Sequence, residues 1–248
     1  MMVEVEIVIL ADAEALAHSA AQRFVTLAQE AATSRGRFSI ALSGGSTPGA
    51  LYRLLAEEPY QGQVPWAEVH LFWGDERCVP PDDPGSNYRL AKETLISRMP
   101  IPAGNVHRLR GELEPEEAAR AYAREVRDFF CGPRPRFDLV LLGLGEDGHT
   151  ASLFPGSPAL QERERLAVAA EAHYQDRPAQ RVTLTLPAIN AARQVLFLVA
   201  GSAKAGIVQA VLEGPGAHLP AQMVQPTAGR LTWLLDAAAA SQLKGRNA

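Results

Sequence analysis

Cysteine is nearly absent. Cys78 and Cys131 are the only two, too far apart for a zinc motif and too few for a disulfide framework, so the expected setting is the reducing cytoplasm. Long apolar runs are missing as well: no stretch approaches the ~18 residues that a membrane-spanning helix needs. Residues 1–6 (Met-Met-Val-Glu-Val-Glu) lack the basic and apolar regions of an export signal, so neither membrane insertion nor secretion is expected. Basic charge is scattered rather than striped and the formal net charge is −4, which argues against nucleic acid as a partner. Any anionic ligand must then be held by a local cluster. Lysine is scarce among the basic residues, present only at 92, 204 and 244, so Lys204 in a Gly-Ser-Ala-Lys turn invites a reason. Flexible linkers, internal repeats and low-complexity tracts are also missing, and residues 1–248 read as one domain.

What the chain does have is core material, with 47% hydrophobic residues against 21% charged. Strand patterns at 3–10, 37–42, 69–73, 137–142, 166–170, 181–186, 194–200 and 231–235, with a short one near 106, alternate with helical patterns. The helices are expected at 11–32, from 48 onward, at 86–97, 115–130, 202–212 and 236–244. A loop rich in proline, glycine and aspartate fills 74–85, and 143–158 is irregular. This alternation predicts an α/β fold: a mostly parallel, doubly wound, Rossmann-like sheet with helices on both faces.

In such sheets ligands sit beyond the carboxyl ends of the strands, and the residues there carry the chemistry. After the strand at 137–142 comes Gly-Leu-Gly-Glu-Asp-Gly-His-Thr (143–150), which puts His149 on a glycine-loosened turn with Asp147 close enough to orient it. The same segment matches the Gly-x-Gly-x-x-Gly dinucleotide fingerprint, with Glu171 near the acidic position. Its continuation runs into Pro155, Gly156 and Pro158 and cannot give the helix that the fingerprint demands, so no nicotinamide site is expected. Ser43, Gly44, Gly45, Ser46, Thr47 and Pro48 close one strand and open a helix, an arrangement suited to a phosphate or carboxylate, with Thr47 as a possible cap. Asp75 and Arg77 follow a third strand and could bond hydroxyls and an anion; Ser86 and Asn87 could cap the next helix. Arg181 and Lys204 are further cationic candidates. Each has a bland alternative: a capped turn at 43–48, a solvated ion pair at 75–77, surface charges at Arg181 and Lys204, a core or capping histidine at His149. There is no Gly-x-Ser-x-Gly elbow, and His18, His70, His107, His173 and His218 form no metal-binding pattern.

Together these segments resemble the 6-phosphogluconolactonases, within the wider glucosamine-6-phosphate isomerase/deaminase superfamily. The resemblance rests on 43–48, Gly-Asp-Glu-Arg at 74–77, Ser-Asn-Tyr at 86–88, residues 143–156, Arg-Val-Thr-Leu-Thr at 181–185 and Gly-Ser-Ala-Lys at 201–204, in that order. Leu-Thr-Trp-Leu-Leu-Asp at 231–236 is similar to the family's C-terminal strand, so nearly the whole chain is covered. The run Asp-Gly-His-Thr-Ala-Ser-Leu-Phe-Pro-Gly at 147–156 is the most specific. Deaminases resemble Asp-Gly-His-Ile-Ala-Phe-Asn-Glu-Pro there, with a Glu that assists their histidine in ring opening, where this chain carries Phe154. It departs from the lactonases at Gly85, where they often have an acidic residue before Ser-Asn.

The resemblance implies hydrolysis of 6-phospho-D-glucono-1,5-lactone to 6-phospho-D-gluconate, the second step of the oxidative pentose phosphate pathway. It implies a small phosphosugar lactone as the partner and no metal or organic cofactor, beside the absence of nucleic acid and membrane partners expected from charge and apolar run length. Substrate contacts are expected from Ser43, Gly44, Gly45, Ser46, Thr47, Asp75, Asn87, Arg181 and Lys204, the phosphate falling to Gly44, Gly45, Ser46, Arg181 and Lys204. His149 is the expected general base, Asp147 its orienting partner, and Arg77 serves either the oxyanion or the phosphate. A deaminase or isomerase activity and a non-catalytic sugar-phosphate sensor are the alternatives, and the oligomeric state stays open.

Overall fold

The computed structural model describes residues 4–131, 135–172, 178–216 and 218–244. Among the described residues nine strands fall into two sheets. The main sheet holds β1 (Glu4–Leu10), β2 (Phe38–Leu42), β3 (Val69–Trp73), β5 (Leu139–Leu142), β8 (Gln194–Val199) and β9 (Arg230–Asp236). Its strands are all parallel, in the spatial order β1-β9-β8-β5-β2-β3. Every residue of β2 and of β5 is buried, so both faces of the sheet centre are covered, as apolar runs such as Leu-Val-Leu-Leu require. The buried polar exception, Ser39, is satisfied: its N–H and hydroxyl both donate to Asp138 Oδ2 at 2.8 Å.

Two of the expected strands lie outside this sheet. β6 (Ala167–Glu171) and β7 (Gln180–Leu184) join β4 (Asp75–Arg77) in a separate antiparallel sheet, ordered β4-β7-β6. β4 sits inside the stretch expected to be loop. Its Asp-Glu-Arg sequence has no intrinsic strand character, and its extended form comes from the ladder with β7. Gly74 links the two sheets, donating its N–H to Leu42 O and accepting from Leu184 N, both at 2.8 Å. The short strand near 106 reduces to one parallel bridge, Leu71 to Val106.

The helices are α1 (Ala13–Arg35), α2 (Ser46–Leu55), α3 (Asn87–Ala91) extended by a π-helical turn at Lys92–Ile96, α4 (Pro115–Phe130), α5 (Leu186–Asn190) and α6 (Ala205–Glu213). Asp12 caps α1 by accepting from Ala15 N, and Gly36 ends it at φ 71°. α1 packs against α2, β2 and β9, whereas α4 lies on β6 and β7 of the small sheet. The helix expected at 236–244 is replaced by turns. Asp236 accepts the Gly201 N–H and the Ala239 N–H at its carboxylate, and Ala239 and Ala240 are buried. Among the described residues no helix is long and apolar enough to cross a membrane.

From β2 the chain moves outward to β3, and from β5 it moves the other way to β8. The strand order therefore reverses between β2 and β5, the place where an open α/β sheet leaves a crevice beyond its strand ends.

Candidate active site

A cleft of about 450 Å³ occupies that crevice. Its walls come from the turns after β2 and β5, from β4 and β7, and from Asn87, Phe154 and Lys204. Of the residues expected at the site, Ser43, Gly44, Gly45, Asp75, Arg77, Asn87, His149, Arg181 and Lys204 line it. Asp147 stands behind His149, while Ser46 and Thr47 are not part of the lining.

The turn after β5 is built around the imidazole. Gly145 N donates to His149 O at 2.9 Å, Gly148 N to Gly145 O at 3.1 Å, and Thr150 Oγ1 to Gly143 O at 2.9 Å. Gly148 at φ 81° and Ala151 at φ 49° bend the chain through left-handed conformations, the second a strained one for a residue with a Cβ. Asp147 Oδ1 accepts from the His149 N–H at 3.0 Å and lies 2.5 Å from Nδ1. A carboxylate only accepts, so Nδ1 carries the proton and the neutral ring has its lone pair on Nε2. Burial works to raise the Asp147 carboxyl, but the bonds from His149 outweigh it and hold the group below its ordinary value. Phe154, 6% exposed, packs against the imidazole with ring centroids 4.8 Å apart.

The turn after β2 is fixed from below by Tyr52 of α2, whose hydroxyl donates to Ser43 O at 2.7 Å and accepts from Ser43 N at 3.0 Å. Tyr52 was not legible as part of the site. Tyr52→Phe leaves both Ser43 backbone groups buried and unpaired, and is expected to cost about 2–4 kcal/mol of unfolding free energy in a urea titration. Gly44 and Gly45 are required by geometry: a Cβ on Gly44 would lie 1.9 Å from Asn87 Oδ1, and Gly45 sits at φ 103°. The helix opens at Ser46, with Gly45 as the cap residue, so Thr47 lies inside the first turn and does not cap. The first-turn N–H groups have no intrahelical acceptor, which keeps this end attractive to anions.

β4 and β7 supply the cations. Arg77 and Arg181 stand directly opposite each other in the antiparallel ladder, and both line the cleft. Arg77 Nη1 donates to Gly85 O, and Gly85 N donates to Asp83 Oδ1 at 2.7 Å. Lys204 joins them from a 3₁₀ turn, Ser202–Lys204, that follows Gly201 at φ 98°. Asp75 is spent on bracing: Ser152 Oγ donates to its Oδ2 at 2.6 Å, and Asn87 Nδ2 donates to its backbone O at 2.9 Å. Ser86 caps α3 as expected, its Oγ accepting from Arg89 N.

Glu76, 2% exposed, is the organiser that sequence reasoning missed. Its carboxylate accepts from the N–H groups of Arg77, Asn87 and Tyr88 at 2.7–2.8 Å and from Ser86 Oγ at 3.0 Å. Burial pushes its carboxyl up against the pull of those bonds. An acidic residue in a strand-end Gly-Asp-Glu-Arg, shortly before a Ser-Asn helix start, was the available signal.

Residues 11–233 match the family described as glucosamine-6-phosphate isomerases/6-phosphogluconolactonase. The chain belongs to this family. It is 47% identical to the 6-phosphogluconolactonase of Rattus norvegicus over 223 residues, 88% of this chain and 86% of the relative. It is 43% identical to that of Synechocystis sp. over 221 residues, covering 87% of this chain and 88% of the relative. The solved 6-phosphogluconolactonase from Trypanosoma brucei superposes with a TM-score of 0.86 at 31% identity, covering 97% of this chain and 99% of that one. All the residues that line the cleft fall inside the span shared with the glucosamine-6-phosphate isomerase/6-phosphogluconolactonase family.

Proposed function

We propose that this chain is a 6-phosphogluconolactonase, hydrolysing 6-phospho-D-glucono-1,5-lactone to 6-phospho-D-gluconate in the oxidative pentose phosphate pathway, with His149 as general base. The observation that carries the reading is the pairing of a carboxylate-oriented histidine with Arg77, Arg181 and Lys204 in one cleft. The cations and the N–H groups of Gly44 and Gly45 hold the phosphate, and this remote binding fixes the lactone carbonyl near the imidazole. Nε2 removes a proton from water as its oxygen attacks C1. The tetrahedral intermediate collapses with cleavage of the bond from C1 to the ring oxygen, which takes the proton back from Nε2. The register of Arg77 opposite Arg181 favours the phosphate rather than the oxyanion as its partner. No metal or organic cofactor is needed for this sequence of steps. Residues 1–248 are taken as one domain, in keeping with a core that runs through both sheets. A cytoplasmic enzyme is in keeping with its two free thiols, Cys78 and Cys131.

The test is release of acid from freshly made phosphogluconolactone set against release of ammonia from glucosamine 6-phosphate. Acid without ammonia is expected, since the apolar Phe154 ring, and no carboxylate, packs against His149 at that position. Ammonia release would support the deaminase reading instead. In the same assay Lys204→Ala should raise KM about 10–100-fold with kcat changed only a few-fold, as for loss of a charged hydrogen bond made equally in ground and transition states.

A further inference from the structure

The opposite end of the main sheet, where the parallel strands begin, carries a second cationic cluster. Arg35 ends α1, Arg136 and Asp138 precede β5, and Arg193 precedes β8. Asp138, with 7% of its side chain exposed, is fully engaged. Its Oδ2 accepts from Ser39 N and Oγ, and its Oδ1 accepts from Arg35 Nε at 2.9 Å and lies 3.3 Å from Arg193 Nε. One guanidinium is enough to neutralise this carboxylate, yet two reach it, and Arg136 stands close enough to repel Arg193.

We propose that Arg35, Arg136 and Arg193 form an anion site, separate from the cleft, that takes the phosphate group of a small phosphomonoester. Among the described residues Asp138 is the one carboxylate in ion-pair contact with Arg35 and Arg193, and none is in such contact with Arg136, so the cluster keeps two uncompensated positive charges. A phosphomonoester carries about −1.5 to −2 at neutral pH and matches that excess. Among the described residues the Nε atoms of Arg136 and Arg193 are buried with no hydrogen-bond partner, and the guanidinium of Arg193 donates no hydrogen bond to any of them. Arg136 is held in place by its Nη2, which donates to Ala228 O at 2.6 Å. Burial first, and then repulsion from Arg136 and Arg35, lowers the pKa of Arg193, in keeping with positive charge crowded around it. The side chains of Arg35 and Arg193 remain 36% and 38% exposed, open to a solute from the strand-start edge. Planar guanidinium forks are the side chains best suited to phosphate oxygens.

Equilibrium dialysis of the full chain with labelled inorganic phosphate at low ionic strength tests this. Wild type should hold one phosphate beyond any bound in the cleft, and that phosphate should survive Lys204→Ala. The double variant Arg136→Gln/Arg193→Gln should weaken it about tenfold or more, with kcat and KM for the lactone unchanged. If Lys204→Ala removes all phosphate binding, or the double variant leaves it intact, the site does not exist. Should the double variant fold poorly, the wild-type protein still decides: phosphate should protect Arg193 from phenylglyoxal in peptide mass analysis, and equal modification with and without phosphate overturns the proposal. Neither readout depends on which reaction the cleft performs.

Discussion

His149→Ala should lower kcat on the lactone by about 10²–10⁴-fold, the scale of a single general base, while KM stays within a few-fold. The imidazole makes no claim on the phosphate, which Arg77, Arg181 and Lys204 face from the other walls of the cleft. A strained lactone also hydrolyses unaided, so the loss is bounded by what one proton acceptor supplies. The measurement is a steady-state rate on fresh lactone with the spontaneous reaction subtracted. An unchanged kcat would remove His149 from the base role and leave the cleft as a binding site. Asp147 sharpens the expectation, because its carboxyl is held below its ordinary value and stays ionised at neutral pH. An ionised Asp147 keeps the proton on Nδ1 and the reactive lone pair on Nε2.

Much of this was readable from residue order, and the failures have physical causes. The apolar runs that became β2, β3, β5, β8 and β9 are buried on both faces, and that burial is what a continuous hydrophobic run encodes. The glycine-bearing turns after β2 and β5 were legible because backbone bending there needs particular residue types. The antiparallel sheet was not, because alternation of pattern says nothing about partner: β6 and β7 look like any other strands until paired, and β4 is strand only because β7 lies beside it. The C-terminal alanines promised a helix on propensity, but they form turns, with the Asp236 carboxylate before them tied to the distant Gly201 N–H. Within the site, charged residues that face the cleft announced themselves. Tyr52 and Glu76 act through other residues, Tyr52 from a position that looks like ordinary core and Glu76 from one whose sequence signal went unread, and the fold shows what each of them bonds.

Gly145→Ala should cost nearly as much activity as loss of the imidazole, at least about 10²-fold in kcat, while the protein remains folded. A Cβ built on Gly145 lies 2.0 Å from His149 Nδ1 and 2.1 Å from its Cε1, far inside any allowed contact. The backbone at Gly145 is outside the left-handed region, so the new methyl strains no dihedral. The side chain that must give way is His149, and by rotating it surrenders both the bond to Asp147 and its place in the cleft. Reduced freedom of the unfolded chain contributes about 0.4–1 kcal/mol in favour of folding, which offsets part of the local repacking. Thermal melts should therefore shift little where kcat collapses. Gly143→Ala is the matched control: its Cβ meets no protein atom within 4 Å and leaves the His149 ring in place, so kcat should stay within a few-fold of wild type, any effect of a methyl on the cleft wall falling on KM. Full activity in Gly145→Ala would mean that the imidazole reacts from a rotamer other than the one Asp147 holds. Loss in Gly145→Ala with retention in Gly143→Ala ties the rate to the close seating of His149 on its own turn.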